Sequence, residues 1–308
     1  MRVLYLVLAG GLGNQMFQYA AARAYNLQFG GDIKLCTFYF TDGRNSDREN
    51  SLKYLQLPMD IAMATKEEEE EVKHAIDQYN QSMFIRIAKR SPSFTKKCIM
   101  DIMYKKGIIR SLYGTYKYVP FHKPGMQEMI MQGGFQSPKY FSKWDETICK
   151  ELVVRIEPSP NNRRILEYIQ SSDSVCVHIR RGDFLDKAYA HLNICTKEYY
   201  YKALDIFKSK LKNPRFFVFS NTHEDIEWIK QNYQFPVKTT FVDENNRDYQ
   251  ELQLMCSCKH FILANSTFSW WAQHLCTNKE KIVCAPGLWD KQFPMESKDI
   301  YESGWIII

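Results

Sequence analysis

The chain has 308 residues, enough for two domains at roughly 150 residues each. Its 45% hydrophobic and 25% charged residues are those of a folded soluble protein, and a net charge of +6 is too modest to mark a nucleic-acid binder. No run approaches the roughly 20 apolar residues of a membrane span, and nine scattered cysteines without a C-x₂-C pair suit a reducing compartment.

Val3–Leu8 is an apolar run that reads as a first buried strand. It leads into Gly10-Gly-Leu-Gly-Asn-Gln15 and a helix expected from about Gln15 to Phe29. Glycines at that turn let the backbone approach a ligand, and the helix N-terminus behind them is a ready anion site. A dinucleotide fingerprint fails here. Met16 stands where the third glycine belongs, and Asp32 precedes the next strand instead of ending it. Asn14 and Gln15 offer amides that can bond sugar hydroxyls.

Thr41–Ser51 is a polar loop, and Glu67–Glu71 reads as the acidic first turn of a helix. From Arg86 to Lys117 there are nine Lys or Arg and one acid, interleaved with Ile and Met. That pattern suits either a basic helix on its own core or contact with an anionic membrane surface. Gln132–Gln136 begins a loop expected on the acceptor side, followed by a helix over Pro138–Leu152. Prolines 158 and 160 mark the best domain boundary.

The second half alternates strands and helices: a helix over Arg163–Gln170, the strand Val175–Val177, a helix over 196–211 and the strand Arg215–Phe219. A helix through Trp228, the strand Thr239–Val242, a helix over Tyr249–Cys256 and the strand His260–Ala264 follow, then a helix over Trp270–Leu275 and the strand Lys281–Ala285. This is a doubly wound α/β pattern. Its strands end in polar groups: His178, Arg180, Arg181 and Asp183, then Ser220, Asp243, and Asn265 to Ser269. Ligands in such sheets bind outside the carboxyl ends of the strands. Paired guanidiniums there are costly to desolvate unless an anion meets them, and their planar forks suit phosphate. Backbone N–H groups of the Ser/Thr turn would complete a diphosphate cradle. No D-x-D pair occurs to hold a bridging metal.

Gly10-Gly-Leu-Gly-Asn-Gln-Met-Phe-Gln-Tyr19, His178-Ile-Arg-Arg-Gly-Asp183, Phe219-Ser220 and Asn265-Ser-Thr-Phe-Ser-Trp-Trp271 together resemble the bacterial α-1,2-fucosyltransferases of glycosyltransferase family 11. The resemblance implies a GT-B-like α/β protein of two Rossmann-type doubly wound domains facing across a cleft. The expected limits are 1–160, with a basic helical insertion at about 67–130, and 161–290, with a 291–308 tail packing back on the first domain.

It also implies inverting, metal-independent transfer of L-fucose from GDP-fucose to the 2-hydroxyl of a terminal galactoside, with no cofactor. Arg180 would bind the β-phosphate with Arg181 supporting it; His178 and Asp243 would recognise guanine. Ser220 and Asn265, Ser266, Thr267, Phe268 and Ser269 would serve the donor, with Gly11, Gly13, Asn14 and Gln15 on its fucose side. Asp183 is the motif acid nearest the reacting centre, either as base or as the group that orients the arginines. The expected partners are GDP-fucose and a galactoside-terminated oligosaccharide, with no nucleic acid. The expected location is the bacterial cytoplasm, with peripheral contact to the inner membrane. The other readings are a different linkage or acceptor, and a GDP- or anion-binding module without turnover.

Overall fold

A computed structural model describes residues 2–41, 48–82, 93–182, 186–236 and 238–308. The chain divides into two compact units, Met1–Leu152 with Lys298–Ile300, and Val153–Ser297 with Tyr301–Ile308.

The first unit is built on a five-stranded parallel sheet of order β3-β2-β1-β5-β4. Its strands are β1 (Val3–Val7), β2 (Asp32–Cys36), β3 (Ala62–Met63), β4 (Ile108–Ile109) and β5 (Glu128–Met131). Helix α1 spans Leu12–Phe29, three residues earlier than expected, because Gly11 already serves as its N-cap. Gly10 has φ 76°, and a methyl there would sit 2.5 Å from Asn14 Nδ2, so the turn needs glycine on both counts. The Ala20–Ala22 run is fully buried, its small side chains suiting close packing.

Helix α1 is tied to the short helix α4 (Asp145–Glu151) by Glu151. This carboxylate receives Tyr19 Oη at 2.6 Å and two donors of Arg23 at 2.8 and 2.9 Å. The expected helix over Pro138–Leu152 is corrected: two 3₁₀ turns, Pro138–Tyr140 and Ser142–Trp144, precede α4. Helix α2 (Lys66–Gln81) begins with a Thr65–Glu68 capping box, as the acidic run suggested. Of the basic stretch, Arg86–Pro92 lies outside the described residues. Helix α3 (Ser93–Lys105) buries Met100 and Met103 against Ile108 and leaves Ile102 exposed. Among the described residues no helix is long and apolar enough to cross a membrane.

The second unit carries a six-stranded parallel sheet of order β11-β10-β9-β6-β7-β8. Its elements are α5 (Pro160–Gln170), β6 (Asp173–His178), α6 (Lys197–Lys210), β7 (Pro214–Phe219), α7 (His223–Asn232) and β8 (Thr239–Phe241). Then come α8 (Asp248–Cys256), β9 (His260–Ile262), α9 (Thr267–His274), β10 (Val283–Ala285) and β11 (Ile306–Ile307). This is the Rossmann order, with the chain reversing direction between β6 and β9. Val175, Val177, Phe216, Val218 and Ile262 form its buried core with Leu204 and Phe207 of α6. Each such side chain contributes about 2 kcal/mol on burial.

Two boundaries differ from expectation. Pro160 opens α5 at N1, with Ser159 as the cap, so the proline-rich stretch starts a helix of the second unit. The tail does not pack back as a whole: Lys298–Ile300 joins the first unit, whereas β11 pairs with β10. Glu302 helps secure this end, lying 2.6 Å from His274 Nδ1 and accepting from Gln273 Nε2 at 2.6 Å. Burial pushes the Glu302 carboxyl up, but the His274 and Gln273 bonds and the Lys281 charge outweigh it and hold it below the ordinary range. Stability from this group is therefore complete above the unfolded carboxyl value of about 4.3 and lost as pH falls through the lower folded value. Glu302→Gln is expected to cost about 2 kcal/mol at pH 7. The gap between thermal melts of the two proteins should narrow as pH falls below about 4.3; a constant gap there would refute the assignment.

Candidate functional site

In the second unit the polar strand ends meet at the reversal point. His178 closes β6; it is 3% exposed, its Nδ1 has no hydrogen-bond partner, and its ring lies 6.2 Å from that of Phe268. Burial, and then the charge of Arg180, push this imidazole down to about 3, so it is neutral at physiological pH. Arg180 is half-buried just beyond it.

Arg181 takes a different position. Its guanidinium carbon lies 3.3 Å from the Trp228 ring centroid, and its Nε donates to Asp225 Oδ1 at 3.3 Å. Gly182 N–H donates to the other oxygen, Oδ2, at 3.2 Å. Gly182 has φ 33°, and a Cβ there would come 2.8 Å from Asn221 Nδ2, so this turn admits little but glycine. Asp183 lies outside the described residues.

Ser220, just past β7, donates to Ile179 O at 2.8 Å and so joins two strand ends. Across the reversal point Ser266 caps α9, its side chain accepting from Phe268 N, which brings Thr267 into the helix and starts it earlier than expected. Buried neighbours brace the turn. Asn265 donates to Leu192 O and Trp289 O, and Ser269 Oγ to Ala264 O. Both side chains are buried, so they shape the turn and do not present a group to a ligand. That corrects their expected direct contact.

Asp243 lies past β8 as expected, with Oδ2 2.7 Å from His223 Nδ1. These two groups and Glu227 place potential metal-binding atoms within 4.8 Å of one another at a partly exposed rim. A further acid is the half-buried Glu251 in the first turn of α8. Burial raises it to about 8, Asp248 and Asp243 add to the rise, and Arg180 opposes it. Sequence reasoning passed over it because it sits inside a helix. Its place one turn after Asp248, in the helix that follows the strand-end acid Asp243, was the available signal.

In the first unit the sheet reverses between β1 and β5. Gly10–Asn14 follows β1 and Gln132–Gln136 follows β5, and Gln136 Nε2 donates to Asn14 Oδ1 at 3.0 Å. Gly11 is half-buried at the turn and Gly13 is buried in the first turn of α1. Gln15 is corrected: its amide donates to Gly10 O and Glu49 O and accepts from Ser51 N, and it is fully buried. It braces the turn through these backbone bonds.

A sequence model described as "Glycosyl transferase family 11" matches residues 54–308. The chain belongs to that family. This family 11 glycosyltransferase is 28% identical over 317 residues to an alpha-1,2-colitosyltransferase of Escherichia coli, covering 100% of this chain and 99% of that protein. It is 30% identical over 106 residues to galactoside alpha-(1,2)-fucosyltransferase 1 of Homo sapiens, covering 33% of this chain and 28% of that one. The crystal structure of the NodZ alpha-1,6-fucosyltransferase soaked with GDP-fucose matches with a TM-score of 0.50 at 13% identity, covering 89% of this chain and 92% of that one. The fold of the family 11 protein is thus the two-sheet GT-B fold of known fucosyltransferases.

Proposed function

We propose that this family 11 glycosyltransferase transfers L-fucose from GDP-fucose to the 2-hydroxyl of a terminal galactoside, with inversion and without a metal. The observation that supports this most is the convergence of His178, Arg180, the Arg181–Gly182 turn and the capped N-terminus of α9 at one sheet reversal. Arg180 and the N–H groups at α9 are suited to the diphosphate. Charge builds on the departing GDP as the glycosidic bond breaks, and groups already in place stabilise it most.

The half-buried Glu251 carboxyl, acceptor-only when ionised, is the better partner for the paired N–H donors of guanine than Asp243, which already faces His223. His178 would contribute its unpartnered Nδ1. Asp183 is retained from the sequence motif as the candidate base, and contact of the Lys105 and Ile102 face of α3 with an anionic membrane belongs to the same proposal.

A second donor is favoured by the whole-length similarity to a colitosyltransferase. Colitose is fucose without its 3-hydroxyl, so one pocket that bonds or ignores that group decides between them. GDP release from GDP-fucose and from GDP-colitose, in EDTA, across a panel of galactosides separates the readings. Acceptor-dependent release from GDP-fucose supports the main proposal, and preference for GDP-colitose moves the assignment to that sugar. GDP binding without turnover of either would leave a binding module.

A further inference from the structure

We propose that Trp228 is a positioning residue: with Asp225 it forms a seat for Arg181, and through Arg181 it sets the turn that aims Arg180 at the donor diphosphate. This rests on the donor reading above. One Asp225 carboxylate engages two consecutive residues, the Arg181 side chain through Oδ1 and the Gly182 backbone through Oδ2. Asp225 is buried, and its own N–H donates to Thr222 Oγ1, so the acceptor is fixed by the cap of α7. Trp228, three residues later on the same helix, puts its ring 3.3 Å from the Arg181 guanidinium carbon. Lys197 Nζ approaches the same ring at 5.7 Å.

The two arginines of the motif therefore divide the work. Arg181 has its charge met by Asp225 and its flat face covered by an indole, the combination that holds a guanidinium in a single orientation. Arg180 is the cation felt by the buried His178 and by Glu251. Nothing in the Arg-Arg sequence itself distinguishes them. The distinction is made by α7.

The test is a double-mutant cycle on donor kinetics, with GDP affinity measured in parallel by calorimetry. Trp228→Leu is expected to lower kcat/KM for the donor about tenfold or more, and Trp228→Phe, which keeps an aromatic face, to recover much of that loss. Arg181→Lys should cost a similar factor, and the Trp228→Leu/Arg181→Lys double variant should be little worse than Arg181→Lys alone. Additive losses, or no rescue by phenylalanine, would overturn the proposal, because a general packing defect has no reason to depend on Arg181. If Trp228→Leu fails to fold, Asp225→Asn takes its place in the cycle with the same criterion. Wild-type protein that binds GDP but turns over no GDP-sugar would sink the donor-transfer reading alone, and the cycle would then be read in GDP affinity. If wild type does not bind GDP, both fail.

Discussion

Arg180→Ala is expected to lower transfer by about 10²- to 10³-fold while far-ultraviolet circular dichroism and the melting temperature stay near those of the wild type. The reasoning starts from position. Arg180 follows the strand beside which the Rossmann sheet reverses, where bound ligands lie in this architecture. It is half-buried, so its charge acts in a medium less screening than water. A diphosphate leaving group gains charge in the transition state, which makes this cation worth more there than in the ground state. Arg180→Lys should recover only part of the loss, because an ammonium retains the charge but not the two-pronged geometry. The substitution also removes the positive charge that opposes the upward shift of Glu251, so that carboxyl should titrate higher in Arg180→Ala. Near-normal transfer by Arg180→Ala would remove the proposed mechanism.

GDP binding should tighten about fivefold as pH rises from 7 to 8, and Glu251→Gln should bind GDP more weakly with most of that dependence gone. Burial first, then Asp248 and Asp243, hold the Glu251 carboxyl up at about 8, against about 4.3 in an unfolded chain. Between those values the folded protein carries a proton that the unfolded chain has released. The ligand-free fold therefore loses stability from this group as pH rises through the window, and the contribution is constant above about 8. Guanine presents N–H donors, which only the ionised carboxylate accepts at both oxygens, so binding expels the proton. Calorimetry in buffers of different ionisation enthalpy would count it. An affinity independent of pH, with no proton released, would return guanine recognition to Asp243 or place it elsewhere.

Much of the second unit was legible from its residues. Strands such as Val175–Val177 and Phe216–Phe219 are continuous apolar runs because parallel strands are covered on both faces, and polar residues past their ends mark the ligand edge. The helix starts were less legible: Ser159 and Ser266 cap helices through their own side chains, yet both helices begin earlier than their apolar patterns suggest. The first unit was harder to read. Strands β3 and β4 have two residues each, too few for any periodicity, and their pairing comes from β2 and β5.

The chemistry of the site was thus visible as a set of residue types: two arginines, a histidine, acids and a hydroxyl turn, each at a strand end. Which member does what was not visible, because that depends on the partners each side chain meets from distant elements. Gln15 and Asn265 look like ligand groups in sequence, yet their amides are consumed by backbone atoms brought to them by residues 49–51, 192 and 289. Glu251 looks like an ordinary helical acid until burial and two neighbouring carboxylates raise it. Arg180 and Arg181 are adjacent and chemically identical; only the Asp225 and Trp228 face of α7 separates their roles. Local chemistry and periodicity lie along the chain, whereas desolvation and partner choice arise only when folding brings its remote parts together.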